Sequence, residues 1–353
     1  MIYHKLFFGK FFMICGLALL LGVFLCSAFL HPSSAHAANV TASRTSSSLA
    51  LGTGVSGVTV FVEPAAGETP ILDAINNAQS SVYVELYLLT DTNVITALEN
   101  AAQNGLDVRV MLDPSPYGVG SSGPAATLSA LSSYGVQTKD SSPAFTYTHE
   151  KGMIIDKQTV YIMSCNFTKS ALGGSSSTTN REYGIIDSNS AEVQAALGVF
   201  NADWNRSSYT LKDTNIVLSP VNSRSDFLAL INSAQSSLKI EAEEMDDSSV
   251  EKAIVSAEAR GVTVQVILPK GSTNATGITT LDNGGVSVYK DTQYYMHAKM
   301  ILVDGTEAFV GSENISATSL DKNRELGILI SDTTVLTKLK STFKTDLSNS
   351  TSA

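Results

Sequence analysis

Ile75-Asn76-Asn77-Ala78-Gln79-Ser80-Ser81 recurs as Ile231-Asn232-Ser233-Ala234-Gln235-Ser236-Ser237, an offset of 156 positions. The register continues through Glu85 and Glu241, then Gly105 and Gly261. It runs on into the apolar segments Val108-Arg109-Val110-Met111-Leu112 and Val264-Gln265-Val266-Ile267-Leu268. A period this long indicates two duplicated lobes rather than a solenoid of small units. Around the repeat, residues 58–62 read as a strand, 68–79 as a helix and 82–88 as a strand. A helix capped near Asp91 and a strand at 107–112 follow. The second copy has strands at 216–218, 238–243 and 262–268, with helices at 225–234 and from about Asp247. Strands alternating with helices predict an α/β fold. Two later segments, 151–163 and 299–310, turn at Asp156-Lys157 and Asp304-Gly305 and read as hairpins, so each sheet is expected to be mixed. The boundaries predicted are 57–210 for the first lobe and 211–353 for the second.

The ends of the chain set further bounds. Of the 353 residues, 43% are hydrophobic, ample for a buried core. Lys5 and Lys10 precede a nearly unbroken apolar run from Phe11 to Leu30, then Pro32 and Ala35-His36-Ala37-Ala38. This reads as a secretory signal peptide over residues 1–38, with an uncleaved membrane anchor as the competing reading. Either one places the remainder outside the cytoplasm. Residues 39–56, rich in Ser, Thr, Ala and Gly, read as a flexible lead-in. Loss of the leader removes two lysines and no acid, moving the formal charge from -10 to -12. That acidity disfavours a polyanion such as DNA as the main partner. Cys15 and Cys26 leave with the leader, so Cys165 alone remains and no internal disulfide is expected. His4, His31 and His36 leave as well, and the exported chain keeps two histidines, His149 and His297.

Those two histidines begin matched motifs. His149-Glu150-Lys151-Gly152-Met153-Ile154-Ile155-Asp156 and His297-Ala298-Lys299-Met300-Ile301-Leu302-Val303-Asp304 both read H-x-K-x-x-x-x-D. Seventeen positions after each His stands an Asn, Asn166 and Asn314, preceded two positions earlier by Ser164 and Ser312. The tripeptide Asn-Arg-Glu then occurs at 180–182 and again at 323–325. Alternate side chains of a strand share a face, so His149 points with Lys151 and His297 with Lys299. One neutral imidazole can attack phosphorus while a protonated one donates to the departing alkoxide. Lysine and asparagine can hold the non-bridging oxygens and stabilise the transition state. Each lobe supplies one Lys and one Asn, so a complete site requires both lobes. Asp156 and Asp304 lie about 23 Å further along an ideal strand and on its opposite face. They are read as structural groups at the hairpin turns. Two histidines and one cysteine without ligand spacing predict no metal and no cofactor in the chemistry.

On these residues the sequence resembles the phospholipase D superfamily, whose signature is the doubled H-x-K-x-x-x-x-D motif followed by G-S-x-N. The resemblance extends over roughly residues 57–340. The second copy is complete with Gly311-Ser312-Glu313-Asn314, whereas the first reads Met163-Ser164-Cys165-Asn166 and lacks the glycine. The resemblance implies two lobes, each a mixed sheet flanked by helices, with the active site at their pseudo-two-fold interface. It implies a covalent phosphohistidine on His149, with His297 as general acid and later base. Lys151, Lys299, Asn166 and Asn314 would hold phosphate, with Ser164 and Ser312 beside the substrate. Glu182 and Glu325 would orient the imidazoles through Nδ1. Each His is expected to work with the Lys, Asn and Glu of its own lobe.

The function expected is hydrolysis of a phosphodiester, a phospholipid head group before nucleic acid, at a site that one monomer completes and that makes transient contact with a membrane surface. The alternatives are a secreted nuclease, a phosphatidyl transferase, and a binding protein without turnover. Tyr147, Tyr294 and Tyr295 precede the histidines and read equally as ligand contacts or packing groups. Glu85 and Glu241 read as cleft groups or as a solvated strand face, and Trp204 as core. The segment between Asp113 and His149, longer than its counterpart and rich in Pro and Gly, reads as a mobile loop where substrate selection could reside.

Overall fold

The computed structural model describes residues 50–353 apart from Ser176, so the leader read at 1–38 lies outside the described residues. The first lobe runs β1 (Thr59–Glu63), α1 (Thr69–Asn77), β2 (Ser81–Leu86), α2 (Thr92–Gln103), β3 (Asp107–Leu112), α3 (Ser122–Ser133), β4 (Gln137–Asp140), β5 (Lys151–Ile155), β6 (Thr159–Met163), β7 (Asn180–Asp187) and α4 (Ser190–Asn205). The second runs β8 (Ile216–Ser219), α5 (Ser223–Ser233), β9 (Ser237–Ala242), β10 (Met245–Asp246), α6 (Ser248–Ala259), β11 (Thr263–Leu268), α7 (Ala275–Asn283), β12 (Ser287–Asp291), β13 (Tyr295–Met296), β14 (Lys299–Val303), β15 (Glu307–Gly311), β16 (Ile315–Ser316), α8 (Ala317–Asp321), β17 (Glu325–Ile330), α9 (Thr333–Ser348) and β18 (Ser350–Ser352). Among the described residues, no helix is long and apolar enough to cross a membrane.

The strand order is β1-β7-β6-β5-β2-β3-β4 in the first sheet and β18-β12-β11-β9-β14-β15-β17-β8 in the second. The sheets are mixed for the reason the sequence suggested. Helical crossovers make β2, β3 and β4 parallel, while the hairpin β5–β6 enters antiparallel to β2. Asp91 and Asp247 cap α2 and α6, each accepting two backbone N–H groups of the first turn.

Both faces of each sheet are covered, which explains the continuous burial of β2. Val82, Val84 and Leu86 face a core shared with α1, α2 and α3, whereas Tyr83 faces the other way. In the second lobe Leu238, Ile240 and Ala242 pack with α5 and α6. The inner faces of the two sheets meet in one core, where Ile162 and Ile185 join Ile328, Val310, and residues of α4 and α9. Each such side chain, when fully buried, contributes about 1.5–3 kcal/mol. Glu85 and Glu241 stand on these inner faces and are fully buried, so neither is on a solvated strand face.

The repeated Gln-Ser-Ser segment and the motif aspartates form one device. Asp156 accepts N–H groups from Gln79, Ser80 and Ser81 at 2.7–3.1 Å, and Asp304 does the same for Gln235, Ser236 and Ser237 at 2.8–3.0 Å. Both aspartates lie in the left-handed region, φ 54° and 53°, which Asp tolerates better than most residues. Each therefore ties the tip of its hairpin to the start of the neighbouring strand, far from the histidines.

Two expectations are corrected. The lead-in does not stay flexible to residue 56, because Val55 donates to Leu329 O and accepts from Ser331 N, docking on the second lobe. Part of the segment from 113 to 149 forms α3 and β4 rather than a mobile loop, and Tyr117 and Tyr147 of it line the cleft beside His149.

Candidate active site

The strands leading into the histidines cross between lobes. His149 N donates to Arg324 O and His297 N to Arg181 O, while β13 pairs in parallel with β7. Each Asn-Arg-Glu tripeptide is thereby laid against the other lobe's histidine. Glu325 accepts from His149 Nδ1 at 2.9 Å, and Glu182 Oε1 stands 2.7 Å from His297 Nδ1. The expectation that each His is oriented by the Glu of its own lobe is therefore corrected: the pairing is crossed, because the sheets meet face to face across the pseudo-two-fold axis.

Both carboxylates are fully buried and held from behind. Glu182 accepts from Ser164 Oγ at 2.7 Å and Asn180 Nδ2 at 2.9 Å, and Glu325 from Ser319 Oγ at 2.7 Å and Asn323 Nδ2 at 3.1 Å. The first Asn of each tripeptide thus steadies its Glu. Ser164 and Ser312 do not line the cleft. They are fully buried, and their hydroxyls accept from the N–H of Tyr183 and Leu326. Their expected contact with substrate gives way to support of β7 and β17.

The tripeptide arginines had no assigned role in the sequence. Arg181 pairs with Asp346 of α9 at 2.6 Å, and Arg324 with Asp203 of α4 at 2.7 Å. Both pairs are buried, and Glu85 and Glu241 lie beside them. Burial, joined by Glu150 and Asp203, pushes the Glu85 carboxyl well above its usual range. Glu241 shifts the same way through burial and Asp346. Burial in this low-dielectric seam therefore disfavours the charged form of both glutamates beside the ion pairs.

His149, His297, Asn166 and Asn314 line one cleft of about 550 Å³. With Nδ1 of each ring against a carboxylate, Nε2 is the nitrogen available to a reacting group, and that of His297 has Glu243 3.3 Å away. Burial draws the His149 imidazole below its usual range, and the Lys151 and Lys299 ammonium groups add to this against Glu325. Burial opposes ionisation of Glu325, but His149 and Lys151 outweigh it and hold the carboxyl low. A neutral imidazole donating from Nδ1 to a carboxylate is the form that leaves a lone pair on Nε2. Lys151 is fully buried beneath His149, donates to His149 O, and is drawn down to about 7 by burial, which Lys299 reinforces.

The half-sites are not equal. Glu243, which the sequence reading passed over, accepts from Lys299 Nζ at 2.7 Å. It also stands 3.3 Å from His297 Nε2 and 3.4 Å from Asn314 Nδ2. Burial acts to raise its carboxyl, but His297 and Lys299 together hold it well below the usual carboxylate range. In the duplicated register its counterpart is Tyr87, whose ring lies 4.6 Å from the His149 ring. A signal was present in the sequence, since this is a Tyr-to-Glu difference two positions after the matched Glu85 and Glu241. Tyr147 lines the cleft, Tyr295 donates to Glu243 at 3.2 Å, and Tyr294 instead lies under the Arg181 guanidinium. Trp204, half-buried, packs on Phe200 at the edge of the shared core.

The missing glycine of the first motif is accommodated. Met163 faces Gly184 just as Gly311 faces Gly327. A Cβ on Gly311 would stand 2.5 Å from Gly327 Cα and from Glu313 Oε2. In the first lobe Cys165 stands in place of Glu313, which removes one of these obstacles.

A duplicated mixed α/β fold with two carboxylate-held imidazoles in one cleft defines a phosphodiester-cleaving class. The family described as "Cardiolipin synthase, PLD-like domain" matches residues 71–204 and 227–347, and the chain belongs to the phospholipase D superfamily. It is 29% identical to the major cardiolipin synthase ClsA of Bacillus subtilis (strain 168), over 56% of this chain and 48% of that relative. The chain thus spans about half the length of that protein. It is 35% identical to a mitochondrial cardiolipin hydrolase of Xenopus tropicalis, over 37% of this chain and 63% of the relative. The fold matches phosphatidylserine synthase of Haemophilus influenzae Rd KW20 with a TM-score of 0.65 at 14% identity, covering 84% of this chain and 87% of that one.

Proposed function

We propose that this enzyme cleaves a phospholipid phosphodiester through a covalent phosphohistidine, with water as acceptor. The observation that carries the proposal is the crossed pair of Glu–His contacts, which turns Nε2 of two imidazoles from opposite lobes toward one cleft. His149 Nε2 attacks phosphorus, the bond to the head-group oxygen breaks, and His297 gives its proton to the leaving alkoxide. His297 then takes a proton from water, whose oxygen attacks phosphorus and releases His149. Lys151, Lys299, Asn166 and Asn314 hold the non-bridging oxygens. The lowered His149 and the second carboxylate near His297 support these unequal roles.

A second reading is favoured by the relatives, several of which are named cardiolipin synthases. In that case a lipid alcohol replaces water in the second step, with identical proton bookkeeping. Both half-sites belong to one chain, so a monomer suffices. The apolar N-terminal run supports action outside the cytoplasm at a membrane surface.

The test is trapping. His297→Ala incubated with defined phospholipid vesicles should accumulate a phosphatidyl adduct on the peptide containing His149, read by mass spectrometry. Free acid against transferred lipid in wild-type reactions separates hydrolysis from transfer. An adduct on no histidine would overturn the mechanism, and turnover of DNA without turnover of any lipid would overturn the substrate.

A further inference from the structure

Lys299 Nζ and Asn314 Nδ2 of the second half-site donate to one oxygen of Glu243 at 2.7 and 3.4 Å, and His297 Nε2 stands 3.3 Å from the same oxygen. These are the groups that a phosphate oxygen would engage under the reading above, on which this inference rests. We propose that Glu243 is a specificity-determining residue whose carboxylate occupies the phosphate-oxygen position of the second half-site. An anionic substrate must displace it, and a second negative charge on that substrate is selected against.

The first half-site shows what the same position looks like without a carboxylate. Tyr87 turns its ring toward Lys151 Nζ, 5.2 Å away, and its hydroxyl accepts from Tyr117 N at 2.6 Å. Lys151 therefore has no carboxylate oxygen in the place where Lys299 has Glu243. The repeat that built both lobes diverges here by one side chain, and the divergence falls on a phosphate-facing position.

Glu243 is placed to move. It lies just beyond the end of β9, outside the ladder, and its side chain keeps 18% of its surface exposed. Its other oxygen is held by Tyr295 OH at 3.2 Å. Once displaced into the cleft, it adds its charge to Glu244 and Asp246 in a lining shared with Tyr87, Tyr117 and Tyr147. A phosphodiester with a neutral or cationic alcohol suits this lining. One with an adjoining phosphate or other anion meets like charge in a partly desolvated site, where repulsion is little screened.

The experiment measures binding of inorganic phosphate by calorimetry to the wild type, Glu243→Gln and Glu243→Ala, with folding checked by thermal melting. Phosphate needs no turnover, so the result is independent of the reaction assigned above. Both variants should bind phosphate roughly ten- to a hundredfold more tightly, the range for losing a competing charged contact. Turnover of phosphatidylinositol 4-phosphate, which carries a second phosphate, relative to phosphatidylglycerol, which does not, should rise about tenfold in the same variants. Unchanged or weaker phosphate binding in either folded variant would overturn the inference, since Glu243 would then support the ligand set rather than compete for it. Tighter phosphate binding with no phosphodiester turned over would uphold the role of Glu243 while sinking the phosphodiesterase reading.

Discussion

Changing Glu325 to Gln should cost far more in His149 chemistry than its charge alone would suggest. Ser319 and Asn323 both donate to Oε1 of Glu325, at 2.7 and 3.1 Å, while His149 Nδ1 lies nearest Oε2 at 2.9 Å. A glutamine satisfies those two donors only with its carbonyl at the Oε1 position, which turns its NH2 toward His149. The imidazole must then accept at Nδ1 and carry its proton on Nε2, the wrong tautomer for attack. Loss of a charge-assisted hydrogen bond alone is worth about 1.5–3 kcal/mol. Loss of the tautomer takes the penalty toward the roughly 10⁴-fold seen when a triad aspartate becomes asparagine. Glu182→Gln differs, because Asn180 and His297 Nδ1 both address Oε1, and Ser164 Oγ can accept from an NH2 at Oε2. Its tautomer survives, and about 10- to 100-fold should be lost, in the His297 steps. Rapid-quench kinetics with bis(p-nitrophenyl) phosphate separates the two, since p-nitrophenolate leaves without a proton. Glu325→Gln should slow the burst by about 10³–10⁴-fold, whereas Glu182→Gln should keep the burst and slow breakdown of the adduct. A burst slowed equally in both variants, or intact in Glu325→Gln, would refute the crossed assignment.

Arg324→Met should leave Asp203 buried without its partner and destabilise the protein by about 3–5 kcal/mol, read from urea denaturation. Pairing it with Asp203→Leu should recover part of the loss; no recovery would argue against a dedicated ion pair. Asp304→Asn should lower stability by about 1 kcal/mol near neutral pH, as loss of a cap does. Slight burial opposes ionisation of Asp304, but the N–H groups of Ser237, Ser236 and Gln235 hold its carboxyl at about 2. Its contribution is therefore full above the ordinary Asp range and fades as pH falls toward about 2, so the melting curves of wild type and variant should converge there. A gap that persists at low pH would assign the effect to shape rather than charge. N-terminal sequencing of secreted material should find Ala38 or Asn39 first, and an intact Met1 in a membrane fraction would favour the anchor.

The 156-residue register, the doubled motif and the alternation of strand and helix were legible because they are local and periodic. An i, i+2 spacing sets His149 with Lys151 whatever surrounds them. The odd spacing of Asp156 and Asp304 likewise put them away from the site, although their partners, the repeated Gln-Ser-Ser segments, came to light only with the β2–β5 and β9–β14 pairings. Ser164 and Ser312 illustrate the opposite case. Their place near the Asn of each motif suggested substrate, but the strand pairing turns them inward onto β7 and β17.

What the sequence by itself determined is which residue types recur and which share a strand face, since backbone geometry alone dictates that. Which Glu meets which His, why the tripeptide arginines are buried, and why Glu243 faces the phosphate donors were decided by how the two sheets pack. Contacts across a pseudo-two-fold axis join positions more than a hundred residues apart, and no spacing along the chain encodes them.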